Sequence, residues 1–138
     1  MLFAFAIGDA CKALGTGEFV ANWSKAWLSP EFLPVVVFLI SSFIAFSTGT
    51  SWGTFAIMLA VSIPMVTIHE ANLPLVVAAT LGGGIFGDHC SPISDTSIIS
   101  SMASASDHID HVKTQLPYAL IGGVITVILY LVLGFTMN

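Results

Sequence analysis

Residues 117–135 make a run of 19 residues without one charge. As a helix this run is roughly 28 Å long at 1.5 Å per residue, close to the roughly 30 Å hydrocarbon core of a bilayer. A chain with such a segment folds against lipid, where every backbone N–H and C=O must be satisfied inside the protein. Only helices and closed barrels achieve that. The rest of the sequence agrees: 56% of residues are apolar, 8% are charged, and the mean hydropathy is +0.95. A soluble domain of this length carries about a quarter charged residues. The expected class is an all-α integral membrane protein of several spans, with the lipid bilayer as its partner.

Three basic residues against eight acidic ones leave nothing to hold nucleic acid. The acids are spread singly, so there is no acidic tail. Cys11 and Cys90 lie far apart in apolar surroundings and read as free thiols.

The chain begins "MLFAFAIGDACKALG". It lacks the basic start of a signal peptide, and Asp9 and Lys12 interrupt its apolar run. Residues 1–14 therefore read as the end of a membrane helix. This raises the expectation that Met1 is not the natural start and that the chain is the tail of something longer. Asp9 and Lys12 are three apart, share a helix face and can neutralise each other. Residues 18–29 place Trp23 and Trp27 one turn apart beside Lys25, which suits a helix at the headgroup level, with an ordinary amphipathic loop as the alternative.

Ser29 and Pro30 suit an N-cap and a first helical position. Two short apolar arms follow, residues 32–46 and 55–68, separated by "STGTSWGT" at 47–54. Neither arm crosses a bilayer core alone. Residues 30–68 are therefore expected to form a re-entrant helical hairpin or the halves of one interrupted helix. Asn72 should cap the helix after it. Residues 73–105 read as a transmembrane helix interrupted at 87–97, with the 82–84 glycine run allowing close helix contact. Residues 106–115, with His108, Asp110 and His111, read as a solvated polar loop before the final span at 117–135.

The interruption "GDHCSPISDTS" carries the chemistry. Gly87 ends one helix, and Ser91 with Pro92, or Asp95, can cap the next. Hydroxyls of Ser91, Ser94, Thr96 and Ser97 surround Asp88 and Asp95. Hard oxygen ligands of this kind suit a small hard cation. Carboxylates inside a membrane segment are functional by default, and discontinuous helices are how many secondary transporters build their sites. The bland alternative is that both aspartates only cap helix ends at a membrane surface. The 47–54 tip is a partner element: Thr48, Thr50, Ser51 and Thr54 offer hydroxyls, and Gly49 and Gly53 permit close backbone approach. A plain turn is an even alternative there.

His89 can carry a proton, although a structural hydrogen bond is the commoner role for one histidine. Asp88, His89 and Cys90 are adjacent, and adjacent ligands rarely converge on one zinc ion. A Ser91, His89 and Asp95 hydrolytic set lacks the strand–turn–helix elbow, and Pro92 removes an N–H from any local oxyanion hole. No enzyme activity and no cofactor are expected.

"STGTSWGTF", followed by "FGDHCSPISDTSIISS" and "DHIDHVKTQLPYA", resembles the NhaC-type sodium/proton antiporter family, and "CKALGTGEFVA" is similar to the family's preceding helix. The resemblance runs over most of the chain. It implies a secondary transporter that exchanges sodium for protons, with sodium-coupled organic acid or amino acid exchange as the alternative and a non-transporting membrane subunit as a third reading. It further implies one half of an inverted-repeat transporter, with 47–54 as the hairpin tip and 87–97 as the unwound break. The opposing N-terminal half would be a missing partner, and a homodimer is left open. Asp9 departs from the neutral residue the resemblance implies. Asp88 and Asp95 become the carboxylates that hold Na⁺ transiently. Ser91, Ser94, Thr96, Thr48, Thr50 and Ser51 supply neutral oxygens, and His89, Gly49, Gly53, Gly87 and Pro92 support them. Exclusion from water favours a protonated carboxyl and a nearby cation favours the ionised one, so such an aspartate holds a proton or Na⁺ but seldom both.

Overall fold

The computed structural model describes residues 2–137. Among them it contains seven α-helices, one 3₁₀ turn and no strand. The expectation attached to Met1 lies outside the described residues. Two short helices come first, α1 (Leu2–Ala13) and α2 (Thr16–Ser24), divided at Gly15, whose φ of 65° is a left-handed conformation that glycine adopts without strain. The 3₁₀ turn Pro30–Phe32 leads into α3 (Leu33–Thr48). Ser29 precedes it in an extended conformation, but its side chain makes no capping bond.

Then come α4 (Ser51–His69), α5 (Leu73–Cys90), α6 (Asp95–Ala103) and α7 (His108–Met137). Asn72 caps α5 by accepting from the Leu75 N–H at 3.1 Å. Among the described residues, four helical stretches are long and apolar enough to cross a membrane: Pro30–Thr48, Ser51–His69, Leu73–Cys90 and His108–Met137.

The helices outrun the apolar runs that announce them. Ser47 and Thr48 are helical, and their hydroxyls are satisfied within the helix by donating to the Phe43 and Ile44 carbonyls, each at 2.8 Å. Thr54 does the same toward the Thr50 carbonyl at 2.9 Å in the first turn of α4. Each arm of the 30–68 segment is consequently a 19-residue stretch. Length alone therefore no longer separates a re-entrant hairpin from two full spans. The polar 106–115 segment is also largely helical. Asp107 accepts from the Ile109 and Asp110 N–H groups at 3.0 and 3.2 Å and starts α7 there.

At the centre of the bundle α5 packs on α3, α4 and α7. Its Gly83 and Gly87, four apart, face α3: a Cβ on the first would overlap the Phe38 carbonyl oxygen, and on the second that of Ser42. The two backbones meet with no side chain between them. Phe38 stacks on Phe86 at 5.7 Å and tilts against Tyr130 at 5.5 Å, which ties α7 to the pair. The buried apolar cluster comprises Ala21, Leu28, Leu33, Val37, Met58, Met65, Val66 and Val76.

Two buried polar ties cross between helices. Thr80 donates to the Ser62 hydroxyl at 3.1 Å, and His69 Nε2 lies 3.0 Å from the Ser24 hydroxyl. The outward surface is apolar: Leu39, Phe43, Tyr118, Ile121 and Val124 are exposed, and Trp23 and Trp27 pack edge to face beside α2. Cys11 and Cys90 are free.

Candidate functional site

Where α5 stops, the chain unwinds for four residues, 91–94, before α6. Pro92 lacks an N–H and cannot continue the ladder, and Ser91 is extended with φ −78° and ψ 129°. The cap of α6 is Ser94, whose hydroxyl accepts from the Thr96 N–H at 3.2 Å. Neither Ser91 nor Asp95 caps it. Asp95 is instead the first helical residue and is exposed, where a negative charge suits the helix dipole.

Asp88 sits in the last turn of α5 and is only 2% exposed. The unwound segment folds back over it. Ser94 donates to Asp88 Oδ1 at 2.8 Å and Thr96 donates to Oδ2 at 3.2 Å. The Ser94 and Thr96 hydroxyl oxygens are themselves 2.7 Å apart. Ser91 is fully buried; its N–H donates to the Asp88 carbonyl at 3.1 Å and its hydroxyl accepts from the Ile93 N–H at 3.4 Å. Ser97, buried in the next turn, has a hydroxyl without a hydrogen-bond partner. Buried polar groups are seldom left so.

The structure brings the 47–54 tip to this break through backbone. Gly49, left-handed at φ 67°, is so close that a Cβ would lie 2.8 Å from the Ile93 carbonyl oxygen. Thr50 caps α4, accepting from the Gly53 N–H at 3.5 Å, and Thr48 is exposed. Ser51 is half-buried at the start of α4 and Gly53 is buried there. Gly87 serves the α3 contact described above. Pro92 and His89 are exposed, and His89 Nδ1 donates to the Ile85 carbonyl at 2.9 Å.

One residue carries a role its sequence position hides. His108 reaches back sixteen residues, placing Nε2 2.6 Å from the Pro92 carbonyl oxygen. Its setting in a polar run gives no local signal of that contact.

Against known proteins, the model of the Na⁺/H⁺ antiporter family matches residues 1–135. An uncharacterized protein of Haemophilus influenzae is 43% identical over all of this chain and 27% of its own length. A malate-2H⁺/Na⁺-lactate antiporter of Bacillus subtilis is 38% identical over 88% of this chain and 29% of its own. The Na⁺/H⁺ antiporter NhaC of Alkalihalophilus pseudofirmus is 31% identical over 87% and 26%. The chain thus spans about a quarter of the length of these relatives. No solved structure matches it. With four helices fit to cross a membrane and a family match over nearly its whole length, this multi-pass chain belongs to the Na⁺/H⁺ antiporter family.

Proposed function

We propose that the chain carries the cation and proton site of a sodium/proton antiporter in the inner membrane of a prokaryote, with Asp88 as the exchanging carboxylate. The observation that supports this most is a proton count. Asp88, Ser94 and Thr96 make three oxygen–oxygen contacts, at 2.8, 3.2 and 2.7 Å. The two hydroxyls own two protons. If both donate to the carboxylate, the Ser94–Thr96 contact has none. A proton on Asp88 closes the ring: Asp88 donates to Ser94, Ser94 to Thr96, and Thr96 back to the other carboxylate oxygen. Without that proton, the same three oxygens form a hard, anionic set suited to Na⁺. The site holds either ion and disfavours both together, and such exclusive occupancy with alternating access yields exchange.

Ser91 supports the ring through the Asp88 carbonyl. In this reading the exposed Asp95 gathers cations at the mouth, and His89 has a supporting role. Thr48, Thr50 and Ser51 complete the oxygen set from the tip side, which the approach of Gly49 to Ile93 favours. Residues 30–68 then act as a re-entrant hairpin and 73–105 as the interrupted helix of one inverted repeat, and further helices of a longer protein supply the opposing pair. The length of the relatives supports that arrangement. Transport needs no covalent step and no cofactor.

The resemblance to a malate/lactate antiporter supports a second reading, in which the same cation site is coupled to an organic acid. Sodium-driven proton movement in vesicles, with and without malate or lactate, separates the two. Exchange that survives loss of the Asp88 carboxylate would refute both.

A further inference from the structure

The helix α6 is an excursion from the bundle. It departs from α5 through residues 91–94 and returns to α7 through 104–107. At nine residues it is too short to be stable alone, and Ile98, Ile99 and Met102 on it are exposed. The returning turn holds Ala105 at φ 51°. A residue with a side chain keeps that left-handed conformation only where its surroundings impose it.

The imidazole of His108 supplies such a constraint. Its Nε2 is 2.6 Å from the Pro92 carbonyl oxygen and its Nδ1 is 3.2 Å from the Ser101 hydroxyl. A carbonyl only accepts, so Nε2 carries the proton and donates. Pro92 lies before α6 and His108 after it. Their bond closes the base of the excursion, while the other ring nitrogen rests against the Ser101 hydroxyl, whose proton goes to the Ile98 carbonyl at 2.8 Å.

We propose that His108 is a positioning residue: by fastening Pro92 it holds the segment that lays Ser94 and Thr96 on Asp88. Pro92 has a fixed φ and stands two residues before Ser94. A shift of its carbonyl therefore carries the α6 cap with it, and the two hydroxyls leave the carboxylate. The mechanical part stands on the bond from Nε2 to the Pro92 carbonyl. Its consequence for ion binding rests on the reading of Asp88 given above.

The test uses a full-length antiporter of the family that contains these residues, in lipid nanodiscs, with His108→Phe, which keeps a ring without a donor, and His108→Gln, whose amide N–H reaches toward the same carbonyl. Amide hydrogen exchange over residues 91–97 is read in sodium-free buffer, and sodium binding by calorimetry. His108→Phe should speed exchange about tenfold, the scale of one lost hydrogen bond, and weaken sodium binding by a similar factor. His108→Gln should bring both back to within about twofold of the parent. If the phenylalanine variant loses helical content by circular dichroism, His108→Ala takes its place. Unchanged exchange without the donor, or a glutamine variant as fast as the phenylalanine one, overturns the proposal. A parent without sodium binding, or Asp88→Asn binding sodium as well as the parent, removes the ion reading alone, and the hydrogen-exchange arm still decides the positioning role.

Discussion

Gly49 and Ile93 touch across the bundle: a Cβ added to the glycine would lie 2.8 Å from the isoleucine carbonyl oxygen. One residue joins α3 to α4 and the other lies between α5 and α6, so two interruptions far apart in sequence share one point in space.

Gly49→Ala should therefore destabilise twice over. The left-handed φ of 67° costs an alanine about 1–2 kcal/mol, and the methyl group must push Ile93 away. Denaturant unfolding in detergent measures the loss. Gly122→Ala is the control, because its Cβ would meet no atom within 4 Å; a helical site of that kind should be neutral or gain up to about 1 kcal/mol. Equal behaviour of the two variants would argue against the contact.

Gly87→Ala tests the seam between α3 and α5. A methyl group there overlaps the Ser42 carbonyl, which is backbone and cannot rotate away. Overpacking of this sort costs about 1–3 kcal/mol. The same unfolding measurement should show a larger loss than Gly122→Ala, and no loss would mean that the helices stand further apart.

Asp88→Asn reproduces the donor and acceptor of the protonated carboxyl and can close the same ring, but it can neither release a proton nor carry the negative charge that holds Na⁺. In the transporter that contains this chain it should lower sodium/proton exchange by orders of magnitude at normal membrane expression. Thr96→Val removes one ring oxygen and should weaken apparent sodium affinity about tenfold. Asp95→Asn, at an exposed position, should cost less than Asp88→Asn. Exchange assayed in everted vesicles ranks the three, and an Asp88 variant as active as the parent would end the site assignment.

Glu70 is the left-handed cap of α4, with φ 56°. Glycine is the ordinary residue at such a cap. Glu70→Gly should raise stability by about 1 kcal/mol, visible as a higher unfolding midpoint, whereas a drop would show that the glutamate side chain has a tie of its own.

Much of this architecture is legible in the sequence because lipid leaves the backbone few choices. The apolar runs, the Asn72 cap, the glycine-lined contact of α5 and the break around Pro92 all follow from local chemistry. What local chemistry hides is who meets whom. Ser47 and Thr48 look like loop residues, yet they are helical with their hydroxyls bonded back along α3, and the arm extends past the apolar run. Asp88 and Asp95 look alike on paper, yet helix phase buries the first and exposes the second. His108 sits in the most polar stretch of the chain, and only the return of α7 brings it to Pro92.

The final helix holds a consequence for the membrane itself. At 30 residues α7 is about 45 Å long, some 15 Å more than the hydrocarbon core. If residues 117–135 span the core, the polar first turns of α7 take up most of that excess and put His108 among the headgroups, together with the outer rim of the 91–94 segment it grips. The depth of Asp88 below that rim is then fixed by the protein, while its distance from water on the far side varies with the thickness of the lipid. An apolar stretch that does not match the thickness of its bilayer tilts, or bends the lipid, at modest cost. Acyl-chain length becomes a control on how readily the carboxylate meets the opposite aqueous phase, and reconstitution across a series of lipid lengths should tune the exchange rate without any change in the protein.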